Sequence, residues 1–382
     1  MSLATRSLTH ASSTGVNGPA VHDLWVLGAG GMMAGEFLRL AAAHPQLKVR
    51  HAITRNGGEK LSELHPHLTH FGDLSCVGFE EFSTRILSKW VCDLEEGRAA
   101  STWLVAALPH GQAAGTWARL RAELKTAAQE LGVVDLSADY RLDDPELYER
   151  WYGGPHPDVS AMKEFVYGLP EAMGKSLSGA RRIAAPGCFA TALQLACLPP
   201  ARAGILDGDA PWILHAATGS SGSGAKPKTQ THHPYRHGNF WSYASDGHRH
   251  EAELQQALLA IGLNPVVTFL PHSGPWSRGI HLSAVLPLTE PVTRARVQAL
   301  FQESYGERPF VHVLAEGVPD LRRVVGSNVA ALGFRVLENT LVVELTLDNL
   351  IKGGSGQALQ ALNLALDLPE TTGLSTTGMG TL

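Results

Sequence analysis

The stretch AAPGCFATALQ, residues 184–194, places a cysteine directly after a Pro-Gly turn and directly before a run of helix-forming residues. Cys188 is therefore expected at or beside a helix N-terminus, where the partial positive charge stabilises a thiolate and lowers the pKa of a thiol from about 8.5. Cys197 lies nine positions further on, inside the same apolar segment, and is expected to be a core residue. This setting favours Cys188 as a nucleophile.

A thiolate nucleophile needs an acid/base partner. The stretch DGHRHEAEL offers His248 and His250 at the start of a predicted helix, with Arg249 between them. A single histidine at such a position is more often a surface residue or a cap. Two of them in a chain that already has a cysteine candidate point instead to proton transfer.

The stretch GAGGMMAG follows a predicted strand, 24–27, and opens a predicted helix, 33–43. Its spacing reads Gly28-x-x-Gly31-x-x-Ala34, a variant of the dinucleotide-binding fingerprint with alanine in the last place. Glycines in this context let the backbone approach a pyrophosphate held at the helix N-terminus. The alternative is a plain tight turn, but the strand and the helix stand where the fingerprint requires them.

The end of the second predicted strand bears on the choice of cofactor. NAD sites usually carry an acidic residue there for the ribose hydroxyl, but this strand ends Ile53-Thr54-Arg55-Asn56. Thr54 and Arg55 would instead hold a 2′-phosphate, so we expect NADP. A nicotinamide beside a thiolate suits chemistry in which sulfur holds an acyl group as a thioester while hydride reaches its carbonyl carbon.

Two further patterns resemble known binding sites but are not interpreted as such. GSSGSGAK, 219–226, resembles a phosphate-binding P-loop, but Ala225 separates the glycine from Lys226 and Pro227 follows the lysine. A histidine-rich stretch has no thiolate near it in the sequence, so no metal is predicted. Its histidines are His232, His233, His237, His248 and His250.

The alternation of strands and helices before Cys188 predicts an α/β fold with a parallel, doubly wound, Rossmann-type sheet. After Cys188, strand-like runs with few helices predict an α+β domain with a mixed or antiparallel sheet. We expect a flexible leader at 1–22, an NADP-binding domain at 23–187 completed by a C-terminal helix within 353–382, and a catalytic and dimerisation domain at 188–352.

Composition excludes several classes of protein. The chain has 382 residues, 44% of them hydrophobic, and a net charge of −5, which gives no basic face for nucleic acid. No apolar run approaches the roughly 20 residues of a membrane span. Four cysteines without a CxxC pair indicate a reducing compartment, and we expect a cytoplasmic protein. The leader is only weakly similar to a transit peptide.

Many ordered stretches together resemble the N-acetyl-γ-glutamyl-phosphate reductases, the arginine-biosynthesis branch of the aspartate-semialdehyde dehydrogenase superfamily. The resemblance runs from about residue 24 to about residue 374. The stretches that carry it are LGAGGMMAGEFLRL, HPHL, ALPHG, VVDLSADYRL, WYGGPH, VYGLPE, APGCFATA, TGSSGSGAK, GHRHEAEL, FLPHSGPWSRGI, GSN and LDNLIKGGSGQALQALNLAL.

The resemblance assigns roles to residues. It implies that Cys188 is the catalytic cysteine and His248 the acid/base histidine. Cations near the substrate's phosphate and carboxylate are sought among Arg141, Lys226, Arg249 and Arg278, with Arg278 preferred, and His250 is counted with the substrate-binding residues. The cofactor residues that it implies, together with the two expected at the second strand, are Gly28, Ala29, Gly30, Gly31, Met32, Met33, Thr54, Arg55, Leu108, Pro109, Ser221, Gly222 and Asn349.

The implied activity is the NADPH-dependent reduction of N-acetyl-γ-glutamyl phosphate to N-acetylglutamate 5-semialdehyde and phosphate by a homodimer or homotetramer. Departures from the family pattern keep a second substrate open. Two methionines replace the family's Tyr-Thr after the glycine loop, the segment 226–247 is unusually basic and aromatic, and Trp276 stands where smaller residues are usual. The alternatives are an N-blocked α-aminoadipyl phosphate from lysine biosynthesis and aspartyl phosphate. A non-catalytic scaffold would have lost Cys188.

Overall fold

The computed structural model describes residues 20–244 and 246–380, so all but the last three residues of the expected leader, 1–22, lie outside the description. The first strand already begins at His22. The described chain forms two sheets, each with helices packed against it.

The first sheet has seven strands, all parallel, in the order β3-β2-β1-β4-β5-β7-β6. Its central strands are continuous apolar runs because helices cover both of their faces. This confirms the predicted doubly wound α/β fold. The strands are β1 His22–Leu27, β2 Leu47–Thr54, β3 Val77–Gly78, β4 Thr102–Ala106, β5 Gly132–Asp135, β6 Val166–Tyr167 and β7 Arg182–Ala184.

The second sheet is mixed, in the order β12-β13-β14-β11-β8-β10-β9. The central pairs β11–β14, β11–β8 and β13–β14 are antiparallel, whereas β10–β8 and β12–β13 are parallel. This confirms the predicted α+β second part. The strands are β8 Trp212–Thr218, β9 Trp241–Ser242, β10 Val267–Ser273, β11 Ile280–Pro287, β12 Val311–Val313, β13 Ala330–Leu337 and β14 Thr340–Leu347.

Within the described residues, eight helices have eight residues or more. They are α1 Met32–Ala42, α2 Leu87–Glu95, α3 Ala113–Leu124, α4 Pro145–Tyr152, α5 Cys188–Arg202, α6 His250–Leu259, α7 Arg294–Tyr305 and α8 Gly356–Ala365. Shorter α-helical turns occupy Leu61–Leu64, Phe79–Glu81, Val159–Met162, Pro170–Met173 and His233–Arg236.

Helix α3 differs from the prediction. The pattern from Trp117 to Leu131 predicts one helix, but α3 begins at Ala113 and ends at Leu124. Lys125 has φ 52°, in the left-handed region that an α-helix cannot include, so the segment 125–129 continues as a 3-10 helix.

Helix α5 also differs from the prediction, because the helix predicted over 189–198 and ended by Pro199-Pro200 continues through both prolines to Arg202. The carbonyl oxygen of Leu195, to which Pro199 has no N–H to donate, accepts a hydrogen bond from the hydroxyl of Tyr305 at 2.8 Å. The remaining predicted helix ends agree with the structure to within two residues.

The C-terminal part of the chain returns to the first sheet. A π-helical turn, Ile351–Ser355, leads from the second sheet into α8. Ala358, Leu359 and Leu362 of α8 are fully buried in the same core cluster as Leu24 of β1 and Phe37 of α1. Helix α8 therefore covers one face of the sheet that carries the glycine loop, although it follows the second sheet in sequence.

Candidate active site

One large cleft, of about 1150 Å³, lies where the two parts of the molecule meet. The glycine loop after β1 and the ends of β2 and β4 form one wall. The first turn of α5, the loop after β8 and the segment 349–354 form the other. The carboxyl ends of parallel strands are the usual ligand-binding edge of such a sheet. The cleft therefore joins the expected dinucleotide site to the expected nucleophile.

The glycine loop leaves the N-terminus of α1 open. Gly28 has φ 79° and packs so closely on the carbonyl oxygen of Ala107 that a Cβ atom would clash with it. Gly31 caps α1 without a side-chain hydrogen bond to the helix, so the first backbone N–H groups point to a site that a phosphate group would fit. Glycine is required at Gly28 by both conformation and space.

Nearly all the predicted cofactor residues line this cleft. The exception is Ala29, which is fully buried and whose carbonyl oxygen accepts a hydrogen bond from His65 Nε2 at 2.7 Å. Ala29 thus holds the loop in place and does not face the cleft. The residues that line it are Gly28, Gly30, Gly31, Met32, Met33, Thr54, Arg55, Leu108, Pro109, Ser221, Gly222 and Asn349.

The β2 end of the cleft carries two arginines. Arg55 is exposed, and Arg119 of α3 lies over the ring of Phe79, 4.5 Å from its centroid. Thr54 donates a hydrogen bond to Glu59 at 3.0 Å, so an acidic residue reaches this end from the loop after β2. Sequence reasoning missed both Arg119 and Glu59, because neither lies on the strand where the rule looks for it.

Cys188 is the first residue of α5, as predicted, and lines the cleft. Its pKa, however, is not lowered. Burial raises the pKa of this thiol to about 11, although Arg141 and the backbone N–H of Phe189 act in the opposite direction. The expected resting thiolate is therefore wrong, because desolvation outweighs the helix N-terminus. The sulfur therefore keeps its proton at neutral pH.

His250 is the histidine beside the nucleophile. It lines the cleft, and a Cβ atom on Gly187 would clash with its Nε2. His248 does not line the cleft. Its ring packs edge-on against Phe189 and Phe269, with centroids 5.4 and 5.7 Å apart, and its Nδ1 accepts the N–H of His250. Both imidazoles therefore pack against the first turn of α5. His250, and not the predicted His248, lines the cleft and contacts Gly187.

Both imidazoles are neutral at physiological pH. Burial, with Arg249 nearby, lowers the pKa of His248 to about 4. Burial, together with His248 and Arg141, lowers the pKa of His250 well below its usual range. A neutral imidazole accepts a proton, so His250 is able to act as the base that the protonated Cys188 requires.

The structure separates the predicted substrate cations. Arg141 and Lys226 line the cleft, and so does Lys228, which the sequence did not single out. Arg278 does not. It pairs with Asp348 at 3.1 Å and with Glu36 at 3.2 Å, and faces a separate cavity of about 320 Å³ beside α1. Two carboxylates already compensate its charge, which disfavours the prediction that it binds a substrate anion.

Arg249 also lies outside the lining of the cleft. It is exposed, and its guanidinium lies over the ring of Tyr152, 5.6 Å from the centroid. Asn349 is in place: its amide donates to Ser221 Oγ at 2.9 Å and its oxygen accepts the N–H of Gly279 at 2.7 Å. The first bond ties the glycine-serine loop to the segment that follows β14, and the second ties the residue before β11 to the same segment.

The segment after Asn349 touches both halves of the site. A Cβ atom on Gly353 would lie 2.7 Å from the Cβ of Cys188, and one on Gly354 would clash with Met33. Ser355 Oγ donates to the carbonyl oxygen of Met33 at 2.8 Å. One short stretch therefore packs against the nucleophile and the glycine loop together. No group of three or more metal-ligating side chains occurs among residues 20–244 and 246–380.

Comparisons with known proteins agree with this arrangement. The family model for the NAD binding domain of semialdehyde dehydrogenases matches residues 23–180, and the model for their dimerisation domain matches residues 188–349. Aspartate semialdehyde dehydrogenase II of Vibrio cholerae, complexed with ASA, superposes with a TM-score of 0.63 at 14% identity, covering 92% of this chain and 99% of that one. That likeness concerns the fold.

Curated relatives match over nearly their whole length. An N-acetyl-gamma-glutamyl-phosphate reductase of Pseudomonas savastanoi pv. phaseolicola is 38% identical, covering 93% of this chain and 98% of its own. One of Rhodospirillum rubrum is 36% identical, covering 91% and 96%. A protein of Thermomicrobium roseum, named for LysW-L-2-aminoadipate 6-phosphate reductase activity, is 36% identical, covering 93% and 97%.

Proposed function

Because this chain belongs to the semialdehyde dehydrogenase family, we propose that it is an NADPH-dependent reductase of N-acetyl-γ-glutamyl phosphate. The products are N-acetylglutamate 5-semialdehyde and phosphate, and the place in metabolism is arginine biosynthesis. The observation that carries the proposal is the single cleft into which Cys188, His250 and the glycine loop all open. A dinucleotide held by that loop lies in the same cleft as the sulfur.

The residues of the cleft fit NADP. The open N-terminus of α1 suits the pyrophosphate, and Arg55 and Arg119 at the β2 end suit a 2′-phosphate. Glu59 would accept a ribose hydroxyl of NAD, but it already accepts a hydrogen bond from Thr54. Two cations against one acidic group favour the phosphorylated cofactor. Leu108, Pro109 and Asn349 then form the wall beside the nicotinamide.

The first half of the reaction transfers the acyl group to sulfur. His250 takes the proton of Cys188 as Sγ attacks the carbonyl carbon of the acyl phosphate, and the bond to the phosphate oxygen breaks. The products of this half are a thioester on Cys188, a protonated His250 and phosphate, which takes one proton from solvent to leave as the dianion. Lys226 and Lys228 supply positive charge in the cleft for the departing phosphate.

The second half reduces the thioester. When bound, NADPH supplies a hydride to its carbonyl carbon. His250 returns its proton to the oxygen, which yields a thiohemiacetal on Cys188. Removal of that hydroxyl proton by His250 breaks the C–S bond and releases the aldehyde, and the thiolate then takes the proton back. The net reaction consumes one acyl phosphate, one NADPH and one proton.

A second substrate is favoured by one specific observation. Between Ser220 and Ala244 the chain carries Lys226, Lys228, Arg236 and three histidines, but no acidic residue. Lys226 and Lys228 line the cleft. An acyl phosphate with a longer chain and a larger, anionic N-blocking group, such as an N-blocked α-aminoadipyl phosphate, would complement this charge. The Thermomicrobium roseum relative carries a name of this kind.

We further propose that the enzyme is a homodimer or homotetramer through the second sheet. One face of that sheet packs on α5, α6 and α7, whereas the other exposes apolar side chains of three neighbouring strands. These side chains are Ile213 of β8, Leu270 of β10 and Val285 of β11, which are 43%, 41% and 37% exposed. No helix of the described residues is long and apolar enough to cross a membrane.

The test is a direct assay of substrate choice. The purified enzyme is given N-acetyl-γ-glutamyl phosphate, an N-blocked α-aminoadipyl phosphate or aspartyl phosphate, with NADPH, and the loss of absorbance at the nicotinamide band is followed. We expect the highest kcat/KM for the first compound. A kcat/KM at least tenfold higher for the second would move the proposal to lysine biosynthesis. No turnover with any acyl phosphate, or with the aldehydes plus phosphate in reverse, would refute it.

A further inference from the structure

A buried carboxylate stands behind the nucleophile and takes no part in the mechanism given above. Glu253 of α6 is 1% exposed. Its Oε2 accepts hydrogen bonds from the backbone N–H of Gly187 at 3.0 Å and from the hydroxyl of Tyr167 at 2.7 Å. Its Oε1 pairs with Arg141 Nη1 at 3.3 Å. Three other segments of the chain, around Arg141, Tyr167 and Gly187, therefore meet on this side chain of α6.

The same carboxylate lies against the backbone that leads into Cys188. A Cβ atom on Gly187 would lie 2.7 Å from Glu253 Oε1 and would clash with His250 Nε2. Glu253 and His250 are one turn apart on α6, so they share a face of that helix. The helix thus presents an imidazole and a carboxylate side by side to the residue that precedes the nucleophile.

Each partner of Glu253 is itself fixed. Arg141 donates through Nε to the carbonyl oxygen of Ala185 at 2.8 Å. The hydroxyl of Tyr167 accepts a hydrogen bond from Gln194 of α5 at 2.6 Å. The network therefore returns to the helix that begins with Cys188. Buried networks in which each member has a partner restrict the movement of the groups they join.

We propose that Glu253 is a positioning residue of this active site, which holds the Gly187 peptide so that Cys188 and His250 keep their mutual placement, and which balances the charge of Arg141. This inference rests on the proposed function of the site. The carboxylate touches neither substrate nor cofactor, since it does not line the cleft. It acts through Gly187, His250 and Arg141.

The charge of Glu253 has an effect on sulfur that is separate from its hydrogen bonds. Arg141 lowers the pKa of Cys188, and Glu253 raises it. Replacing Glu253 by glutamine keeps an oxygen that accepts the N–H of Gly187 but removes the negative charge. Arg141 is then no longer balanced, so the pKa of Cys188 falls. The shift therefore reports the charge of Glu253 at the sulfur, separately from its hydrogen bonds.

The experiment compares Glu253→Gln with the parent enzyme, both in a Cys92→Ser background. Cys92 is the exposed cysteine, whereas Cys76 and Cys197 are buried. The rate of alkylation of Cys188 by iodoacetamide is measured from pH 6 to pH 10.5. We expect the pH at half-maximal rate, or the position of the rising limb, to move down by about one unit. An unchanged profile would overturn the inference.

Two further variants separate the charge from the tether. Glu253→Ala removes the acceptor for Gly187 and is expected to lower kcat about 100-fold, with the Kd for NADP within threefold, because misplaced reacting groups lose rate and not cofactor affinity. Glu253→Gln is expected to recover at least tenfold of that loss. Equal kcat values for the two variants would show that the hydrogen bond between Gly187 and residue 253 does not support catalysis. Glu251→Gln, the same change two residues away, is the control and should leave the alkylation profile in place.

The alkylation measurement uses no acyl phosphate. If the profile moves and no acyl phosphate is reduced, the positioning role stands and the proposed function fails. If an acyl phosphate is reduced and the profile does not move, the proposed function stands and the positioning role fails.

Discussion

The imidazole of His250 lies so close to Gly187 that the residue before the nucleophile has room only for a hydrogen atom as its side chain. Gly187 has φ −69°, an angle that any residue adopts, so glycine is required there by space and not by backbone conformation. The contact brings the imidazole of His250, on α6, to the residue that precedes α5. It also explains why the sequence has glycine directly before Cys188.

Gly187→Ala is expected to lower kcat about 100-fold, because the added methyl group pushes His250 away from Cys188. The Kd for NADP should change by less than threefold, since the glycine loop is untouched. Gly115→Ala is the matched control. Nothing lies within 4 Å of a Cβ atom at that helical position, and the change should leave kcat intact and not lower stability. If the Gly187→Ala enzyme kept the parental kcat, the contact between Gly187 and His250 would not be important for catalysis.

The two histidines of the HRH sequence are expected to differ. His250→Ala should lower kcat by 100-fold or more, because Cys188 is protonated at neutral pH and loses its base. His248→Ala should cost less than tenfold, since that ring packs on Phe189 and only helps to begin α6. Steady-state kinetics at pH 7.5 measure both. A larger loss for His248→Ala would restore the prediction made from the sequence.

Arg119→Ala is expected to raise the KM for NADPH by about 10- to 100-fold, the worth of one hydrogen-bonded charge pair with a 2′-phosphate. The KM for NADH should change by less than twofold, because NADH lacks that phosphate. Arg85→Ala, an exposed arginine on the neighbouring helical segment, is the control and should leave both values unchanged. Equal effects on the KM values of the two cofactors would show that Arg119 does not bind the 2′-phosphate.

Self-association through the open face of the second sheet is expected to weaken at low pH. The rings of His215 and His272 lie 4.3 Å apart on this face, and His281 of β11 is close to them. Burial lowers the pKa of His215 and His281, although Glu344 on β14 favours the charged form of His281. Neutral imidazoles can be buried in an interface at lower cost than charged ones, because burial disfavours the charged form. Each ring that gains a proton as pH falls opposes association.

Light scattering behind size exclusion measures this dissociation. The dimer Kd should rise at least tenfold between pH 7.5 and pH 5.5, and His215→Gln should reduce that rise because a ring whose pKa is lowered by burial is then absent. A Kd that is independent of pH in both proteins would show that a second copy does not cover these histidines.

Lys352→Ala is expected to lower the free energy of unfolding by about 3–5 kcal/mol. The Lys352 ammonium is fully buried and pairs with Glu171 at 2.6 Å and with Gln360 at 2.8 Å, so its loss leaves a buried carboxylate uncompensated. Urea titration measures the change. Lys89→Ala removes an exposed ion pair with Asp93 and should leave the urea midpoint nearly unchanged. If both variants lost a similar free energy of unfolding, burial would not be the reason for the effect at Lys352.

The sequence was sufficient for the features that are local in the chain. Glycine spacing, a strand before it and a helix after it predict the loop at Gly28, and a Pro-Gly turn before helix formers predicts Cys188 at the start of α5. Both are in place. The parallel sheet and the mixed second sheet also follow from local patterns, since the periodicity of apolar residues is set by which faces are covered.

Properties that depend on distant residues could not be predicted in this way. Arg278 has the right type for an anion site, but its charge is already compensated by Glu36, 242 positions earlier, and by Asp348. The pKa of Cys188 depends on how deeply α5 is buried, which no spacing reveals. The choice between His248 and His250 turns on the point at which α6 begins, and helix ends are the least certain part of any prediction from sequence.

The π-helical turn at 351–355 gives the molecule an order of assembly. Gly353 and Gly354 close the space around Cys188 and Met33, yet they are made after every other wall of the cleft. A chain that ends before Gly353 lacks the residues that pack against Cys188 and against Met33 of the glycine loop. We therefore expect a fragment that ends before Gly353 to lack the packing around Cys188 and Met33, and to be inactive.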